Sequence, residues 1–154
     1  MITFQPTADE IAAAELTFAN MQSYYQRYSV SWDAGQIAAM TAGLNNLDII
    51  SDGQRVGVVR LSFEDSVCHL RDLQIKPAFQ NTGLGTQTLH AISQLALTAN
   101  SSELKLKVFQ SSPAAALYLR NGFVTERQDD RFFYMVKELS LAEHMDDAES
   151  ASAR

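Results

Sequence analysis

The chain has 154 residues and a formal net charge of −6, and 46% of its residues are hydrophobic. This length and apolar content fit one globular domain with a sizeable core. No apolar run reaches the roughly 20 residues of a membrane-spanning helix. No stretch concentrates lysine and arginine either, so we expect neither a membrane nor a nucleic acid as a partner.

The cysteine content and the first residues predict a cytoplasmic protein. Cys68 is the single cysteine, which rules out an internal disulfide and favours a reducing compartment. We interpret its thiol as a small apolar core group, the alternative being a nucleophile activated by a nearby histidine. Met1–Pro6 lacks the basic and apolar regions of a signal peptide.

Hydrophobic periodicity divides the chain into strands and helices. In chain order it predicts a strand at Met1–Gln5, a helix to about Arg27, a weaker helix at Ser31–Gly43, strands at Leu47–Ser51, Arg55–Phe63 and Val67–Lys76, a helix at Thr82–Ala99, a strand at Leu104–Phe109, a helix at Ala114–Leu119, and strands at Phe123–Arg127 and Phe132–Lys137. Thr7 or Asp9 can cap the first helix, and Asp52-Gly53 is a favoured hairpin turn.

Two further predictions concern the first helix and the end of the chain. The buried face of the first helix is predicted to consist of Ile11, Ala12, Leu16, Ala19 and Met21. The last residues carry four carboxylates against a single arginine and predict a disordered acidic tail. We therefore expect a domain at 1–139 and a tail at 140–154.

The segment between Leu73 and Gly85 predicts a phosphate site. An apolar strand leads through a proline and a glycine-punctuated turn into a helix. A helix N-terminus offers unpaired backbone N–H groups, which Gly83 and Gly85 leave accessible to an anion. The turn lacks the Gly-Lys-Ser/Thr of a Walker loop, and Thr88 stands where a Rossmann loop has its third glycine. The sequence therefore favours another kind of phosphorylated cofactor.

Two motifs in this order resemble the GNAT superfamily, the acyl-CoA-dependent N-acetyltransferases. Gln-x-x-Gly-x-Gly at Gln80–Gly85 resembles the family's acetyl-CoA pyrophosphate loop. The later segment resembles its closing motif, Asn-x-x-Ala-x-x-Leu-Tyr followed by Gly-Phe, although Ser111 stands where most members have asparagine. The matching positions of the closing motif are Ala114, Leu117, Tyr118, Gly122 and Phe123.

The resemblance covers nearly all of Ile2–Leu139 and implies both fold and function. It implies an α/β (α+β) fold, with a central mixed, mostly antiparallel sheet of about seven strands flanked by about four helices. It also implies that acetyl-CoA, without a metal, donates an acetyl group to a primary amine (a small amine, amino acid or peptide amine) by direct attack in a ternary complex. The protein is expected to be a monomer or homodimer.

The resemblance also implies the cofactor contacts. The edge of the strand at Leu73 and Ile75 would pair with the pantetheine arm, and the Ile75 N–H would bind the acetyl carbonyl oxygen. The implied cofactor-binding residues are Leu73, Ile75, Gln80, Asn81, Thr82, Gly83, Leu84, Gly85, Thr86, Ser111 and Tyr118.

Tyr118 is our candidate general acid, because a phenol with a pKa of about 10 can protonate a departing thiolate. The alternative is a packed tyrosine whose hydroxyl bonds to a backbone carbonyl. Asp72 and Glu64 are the candidate bases; each could instead be a solvated carboxylate, and a chain of waters could replace both. His69 and His90 receive no role.

The aromatic residues near the end of the first helix are candidates for acceptor binding. Tyr24, Tyr28 and Trp32 could line a pocket for a cationic or aromatic amine, the alternative being that they only fill the core. Two rival functions stay open: a non-catalytic acyl-CoA-binding sensor of the same fold, and a structural protein whose Gly-x-Gly turn binds nothing.

Overall fold

The computed structural model describes residues 1–140, so all of the predicted tail except Ser140 lies outside the described residues. The strands are β1 (Ile2–Pro6), β2 (Asn45–Ser51), β3 (Gln54–Glu64), β4 (Val67–Ile75), β5 (Glu103–Phe109), β6 (Val124–Gln128) and β7 (Phe132–Glu138). The helices are α1 (Glu10–Arg27), α2 (Ala34–Thr41), α3 (Leu84–Thr98) and α4 (Ala114–Arg120), with a single 3-10 turn at Pro77–Phe79. This order of elements confirms the prediction.

The seven strands form one sheet in the order β1-β2-β3-β4-β5-β7-β6. β4 and β5 pair in parallel, with α3 as the crossover that parallel neighbours require, and every other pair is antiparallel. The predicted mixed, mostly antiparallel sheet is therefore confirmed. Among residues 1–140, no helix is long and apolar enough to cross a bilayer.

Local sequence signals act where they were predicted. The Asp9 carboxylate accepts a hydrogen bond from the Ala12 N–H at 3.0 Å and caps α1. Asp52-Gly53 adopts φ values of 50° and 78°, as a tight hairpin turn between β2 and β3 requires. In addition to these predicted contacts, the Ser112 hydroxyl accepts from the Ala114 N–H at 3.1 Å at the start of α4. These short-range contacts explain why the element boundaries follow the sequence closely.

Two hydrophobic clusters cover opposite faces of the sheet. Leu106 and Val108 of β5 belong to the cluster under α3 and α4, whereas Phe109 belongs to the cluster with α1 and α2. Since alternate residues of a strand point to opposite faces, the two helix pairs lie on opposite sides of the sheet. The sheet is therefore the middle of three layers.

The predicted buried face of α1 is partly wrong. Ile11 is 55% exposed, and the buried positions are Ala13, Ala14, Thr17 and Tyr25. The physical reason is that α1 turns a polar position, Thr17, toward partners on the sheet. An apolar pattern alone could not predict that orientation.

β4 and β5 separate partway along their length. Their last parallel pair is Leu70 with Leu106, although both strands continue beyond it. At the same level the pairing of β3 with β4 shifts register, which leaves Arg71 as the extra residue of a β-bulge. The resulting gap between residues 71–75 of β4 and residues 107–109 of β5 is called the strand opening below.

A buried ion pair lies beside the bulge. Arg60 is 1% exposed and pairs with Asp72, which faces it across β3 and β4. Arg60 also donates to Thr17 Oγ1 at 2.8 Å and to Asn46 Oδ1 at 2.9 Å. The Asp72 carboxylate accepts from Thr17 Oγ1 at 2.9 Å and from Gln74 Nε2 at 2.7 Å. This polar network connects β2, β3, β4 and α1.

Replacing Arg60 by methionine should destabilise the fold, because it leaves a partly buried Asp72 carboxylate without its cation. We expect Arg60→Met to lower the free energy of unfolding by about 3–5 kcal/mol in urea titrations. Adding Asp72→Asn to that variant should recover part of the loss, since the uncompensated charge is then gone. Lys105→Met, which removes only a half-exposed pair with Glu126, serves as the control and should cost at most about 1 kcal/mol. Equal losses in the Arg60 and Lys105 variants would contradict this account.

Candidate active site

The strand opening leads into a cavity of about 1080 Å³. Its wall combines the ends of β4 and β5, the loop before α3, and parts of α1, α2 and α4. A cavity of this size, bounded by both helix layers, can hold two ligands end to end.

The backbone of β4 turns the N–H and the carbonyl group of Ile75 toward this opening. The Lys76 N–H donates to the Val56 carbonyl of β3 at 2.8 Å. Since successive N–H groups along a strand point to alternate sides, the Ile75 N–H points away from β3 and toward the opening. The Ile75 carbonyl on that same side accepts from Asn20 and Gln80, both at 3.0 Å. The edge of β4 is thus available to an extended ligand.

The loop after β4 begins α3 with an exposed backbone. Gly83, the residue before α3, has a φ of 84°, a left-handed conformation that favours glycine. No side chain caps this helix end, so the first N–H groups of α3 are left for an anion. The loop therefore has the geometry of a phosphate site.

Gly85 has a second, structural role. A Cβ atom added at Gly85 would lie 3.0 Å from Leu117 Cδ2 on α4, whereas one added at Gly83 would meet nothing within 4 Å. A Cβ at position 85 would make Leu117 shift, so glycine favours the close approach of α3 and α4 at this end of the cavity.

The cavity brings most of the predicted cofactor residues together. Those that line it are Leu73, Ile75, Gln80, Asn81, Gly83, Gly85, Thr86 and Tyr118, and those that do not are Thr82, Leu84 and Ser111. The Thr82 hydroxyl instead donates to the Phe79 carbonyl at 2.6 Å and stabilises the loop.

Tyr118 is buried in the core and lines the cavity. Its ring packs edge-on against Phe123 at a centroid distance of 5.5 Å. Burial, and then the negative charge of Asp72, raise the pKa of Tyr118 above its usual range. Within residues 1–140, no group hydrogen-bonds its hydroxyl, so the carbonyl partner of the alternative interpretation is not found there. Burial therefore favours the protonated form of this phenol.

The two candidate bases lie far apart. Asp72 lines the cavity, where Arg60 and Thr17 hold its carboxylate. Glu64 pairs with Val67 at the other end of β4, five residues or about 16 Å from Asp72. Its side chain is 74% exposed and contacts His69 at 3.8 Å. The structure does not bring Glu64 to the strand opening.

Cys68 lies in the core under α3. The residue is wholly buried, and burial raises the pKa of its thiol to about 11. A thiol that stays protonated and inaccessible fits the apolar role predicted for it.

The tyrosines of α1 form part of an aromatic stack. Tyr24 and Tyr28 both stack on Phe109, at centroid distances of 5.6 and 4.7 Å, and Phe109 stacks on Phe132 at 4.5 Å. Tyr24 lines the cavity, whereas Tyr28 does not; the Tyr28 hydroxyl lies 3.1 Å from Ser111 Oγ. The predicted acceptor residue Tyr28 therefore contacts the predicted cofactor residue Ser111, outside the cavity wall.

Trp32 contributes to the wall from the loop between α1 and α2. It is 41% exposed, lines the cavity and packs edge-on against Tyr25 at 5.6 Å. Tyr25, the neighbour of Tyr24 on α1, lines the cavity as well. Both rings lie on the side of the cavity formed by the first two helices.

Other residues of the cavity wall could not be predicted from a sequence motif. Asn20 on α1 also donates to Gln74 Oε1 at 3.1 Å and so fixes the helix over the end of β4. Three cations, Arg71, Lys107 and Arg120, come to the wall from β4, β5 and α4. They are far apart in the sequence, and the pairing of Leu70 with Leu106 places Arg71 and Lys107 at the same level of the sheet.

Comparisons with known proteins agree with this geometry. A family model described as Acetyltransferase (GNAT) domain matches residues 47–125. A search of curated proteins gives no match.

Several solved structures share the fold. The chain is similar to the PaiA N-acetyltransferase from Thermoplasma acidophilum in complex with coenzyme A, with 17% identity, a TM-score of 0.66, and coverage of 90% of this chain and 99% of that one. It is also similar to the ribosomal-protein-S18-alanine N-acetyltransferase from Escherichia coli, with 20% identity, a TM-score of 0.67, and coverage of 92% and 96%. At these identities the likeness shows the fold alone.

Substitution of Gly85 tests the phosphate site at the start of α3. Gly85→Val should push against Leu117, narrow the cavity and raise the dissociation constant of coenzyme A at least about tenfold by calorimetry. Because of the Leu117 contact we also expect a loss of stability of about 1–3 kcal/mol, which denaturation measures in parallel.

Gly43→Ala is the matched control, since a Cβ there meets nothing within 4 Å and Gly43 lies outside the cavity wall. It should leave the affinity for coenzyme A unchanged. A Gly85→Val protein that is folded and binds coenzyme A as tightly as the parent would show that the phosphate site lies elsewhere.

Proposed function

The chain belongs to the GNAT family of acetyltransferases, and from that premise we propose that it transfers the acetyl group of acetyl-CoA directly to a primary amine in a ternary complex. The observation that supports the proposal is a single cavity lined by the exposed start of α3, the free edge of β4 and the buried Tyr118. These are a phosphate site, a strand edge for an extended arm and a proton donor.

In this proposal acetyl-CoA occupies the strand opening. The N–H groups at the start of α3 bind its pyrophosphate, and the edge of β4 at Leu73 and Ile75 pairs with the amides of its pantetheine arm. Arg120 follows Leu117 by three residues and so shares its face of α4, on the side of Gly85. We assign Arg120 to the phosphates of the cofactor.

The reaction needs one bond formed and one bond broken. The neutral amine attacks the acetyl carbonyl carbon and forms the C–N bond, and the Ile75 N–H donates to the oxyanion that develops. Collapse of this intermediate breaks the C–S bond, and Tyr118 donates its proton to the departing thiolate. The amine releases its proton to water, and Tyr118 regains a proton from water, so that the phenol is restored for the next turnover.

Asp72 acts in this scheme through its charge. Arg60, Thr17 and Gln74 already occupy the Asp72 carboxylate, so we do not carry its predicted base role into the proposal. Its negative charge instead helps to keep Tyr118 protonated. Trp32 and Tyr24 contact the acceptor from the side of α1 and α2.

Replacing Tyr118 by phenylalanine tests the proposed general acid. The variant keeps the packing on Phe123 and removes the proton donor, so kcat should fall about 100-fold while the KM of acetyl-CoA changes little. Coenzyme A release in the presence of a panel of amines measures both. Tyr134→Phe is the control, because the hydroxyl of that half-buried tyrosine donates to Asp129 at 2.7 Å and Tyr134 lies outside the cavity wall.

The pH profile gives a second readout of the same proposal. The rate should rise with pH as the acceptor amine loses its proton, and the raised pKa of Tyr118 means that no falling limb from this phenol should occur below about pH 10. An unchanged kcat in Tyr118→Phe would contradict the acid role. Binding of acetyl-CoA without coenzyme A release from any amine would favour the rival sensor function.

A further inference from the structure

The charges on the cavity wall are opposite in sign to the charge of the chain. The whole chain has a net charge of −6. Within the described part of the chain, the charged residues that line the cavity are Arg71, Lys107 and Arg120, against Asp72 alone. Since buried Arg60 pairs with Asp72, the wall has an excess of positive charge.

Arg71 and Lys107 flank the closed end of the strand opening. They are the residues that directly follow Leu70 and Leu106, the last pair of the two parallel strands. Lys107 Nζ lies 4.7 Å from the ring centroid of Phe132, which packs with α1 and α2. This is the side of the sheet on which the acceptor is expected, whereas Arg120 lies on the side of the cofactor phosphates.

In the described part of the chain, these two cations have no carboxylate to neutralise them. Over residues 1–140, no carboxylate forms an ion pair with Arg71 or Lys107. Arg71 donates from Nε to Ser62 Oγ at 2.9 Å, which orients the guanidinium and leaves its terminal nitrogens for another partner. By contrast, Lys105 on the same strand pairs with Glu126 at 3.5 Å.

We propose that Arg71 and Lys107 bind a carboxylate of the acceptor, so that the acetylated amine belongs to an amino acid or an acidic peptide. This inference rests on the proposed function, since it requires acetyl transfer to an amine at the strand opening. A planar guanidinium and a lysine ammonium together suit a carboxylate. Two positive charges at the opening also disfavour a purely cationic acceptor, contrary to what the aromatic residues of the sequence led us to expect.

The test compares amines in matched pairs. We would measure coenzyme A release with each L-amino acid and its α-carboxamide, with short peptides beginning with Asp or Glu and with Asn or Gln, and with putrescine as a cationic amine. Calorimetric binding of the same amines to the protein saturated with coenzyme A gives a readout that needs no turnover. The carboxylate-bearing member of a pair should bind about tenfold more tightly, the contribution of one charge-assisted contact.

Substitutions of the two cations test whether they cause the preference for carboxylate-bearing amines. Lys107→Met and Arg71→Gln should each raise the KM and dissociation constant of the carboxylate-bearing amine about tenfold, and those of the uncharged partner at most about twofold. Lys107→Arg keeps the charge and should keep the selectivity. Lys105→Met is the matched control, because it removes the same charge from the same strand outside the cavity wall and should leave selectivity unchanged.

The outcomes separate this inference from the proposed function. Equal binding within each pair, a preference for putrescine, or an equal effect of Lys105→Met would overturn the carboxylate site. If acetyl-CoA binds and no amine of the panel does, the carboxylate inference also fails while the cofactor site stands. If acetyl-CoA itself does not bind, it is the proposed function that fails. A preference for amino acids over their carboxamides would identify a free amino acid as the acceptor. A preference for the Asp and Glu peptides over the Asn and Gln peptides would identify an acidic peptide.

Discussion

The ion pair between Arg60 and Asp72 connects the parts of the molecule that form the cavity. A guanidinium that is 1% exposed is stable only with a carboxylate beside it, so β4 must hold Asp72 against β3 at the level of the bulge. Thr17 bonds to both members of the pair and fixes α1 over the same point. One polar contact thus holds the register of β4 and the helix that closes the cavity, just where β4 and β5 separate.

Because of the same ion pair, the charged residues of the cavity have different roles. Asp72 is neutralised by Arg60, yet its charge still helps to raise the pKa of Tyr118 and so favours the protonated phenol that the reaction needs. Arg71, displaced by the bulge, and Lys107, next to the last paired residues of β5, keep their charges for a ligand. The phosphates of the cofactor would meet the start of α3 and Arg120 at the other side of the cavity.

The sequence predicted what depends on short-range signals. Asp52-Gly53 marked the hairpin and Asp9 the start of α1, because turn and cap contacts span a few residues. The predicted buried face of α1 was partly wrong, because Thr17 is turned toward the sheet by its hydrogen bond to Asp72, 55 residues away. The position of Glu64 outside the site and the placement of Arg71 and Lys107 at the same level of the sheet depend on the register of the strands. Periodicity contains no information about register between strands that a helix separates.

We propose that the strand opening holds acetyl-CoA along β4 and against the start of α3. Hydrogen exchange of the backbone amides, followed by mass spectrometry with and without acetyl-CoA, tests it most directly. The account predicts slower exchange over residues 73–86, which include the Ile75 N–H and the first N–H groups of α3. Saturating acetyl-CoA that leaves exchange in this segment unchanged, or that protects a different part of the sheet, would contradict it.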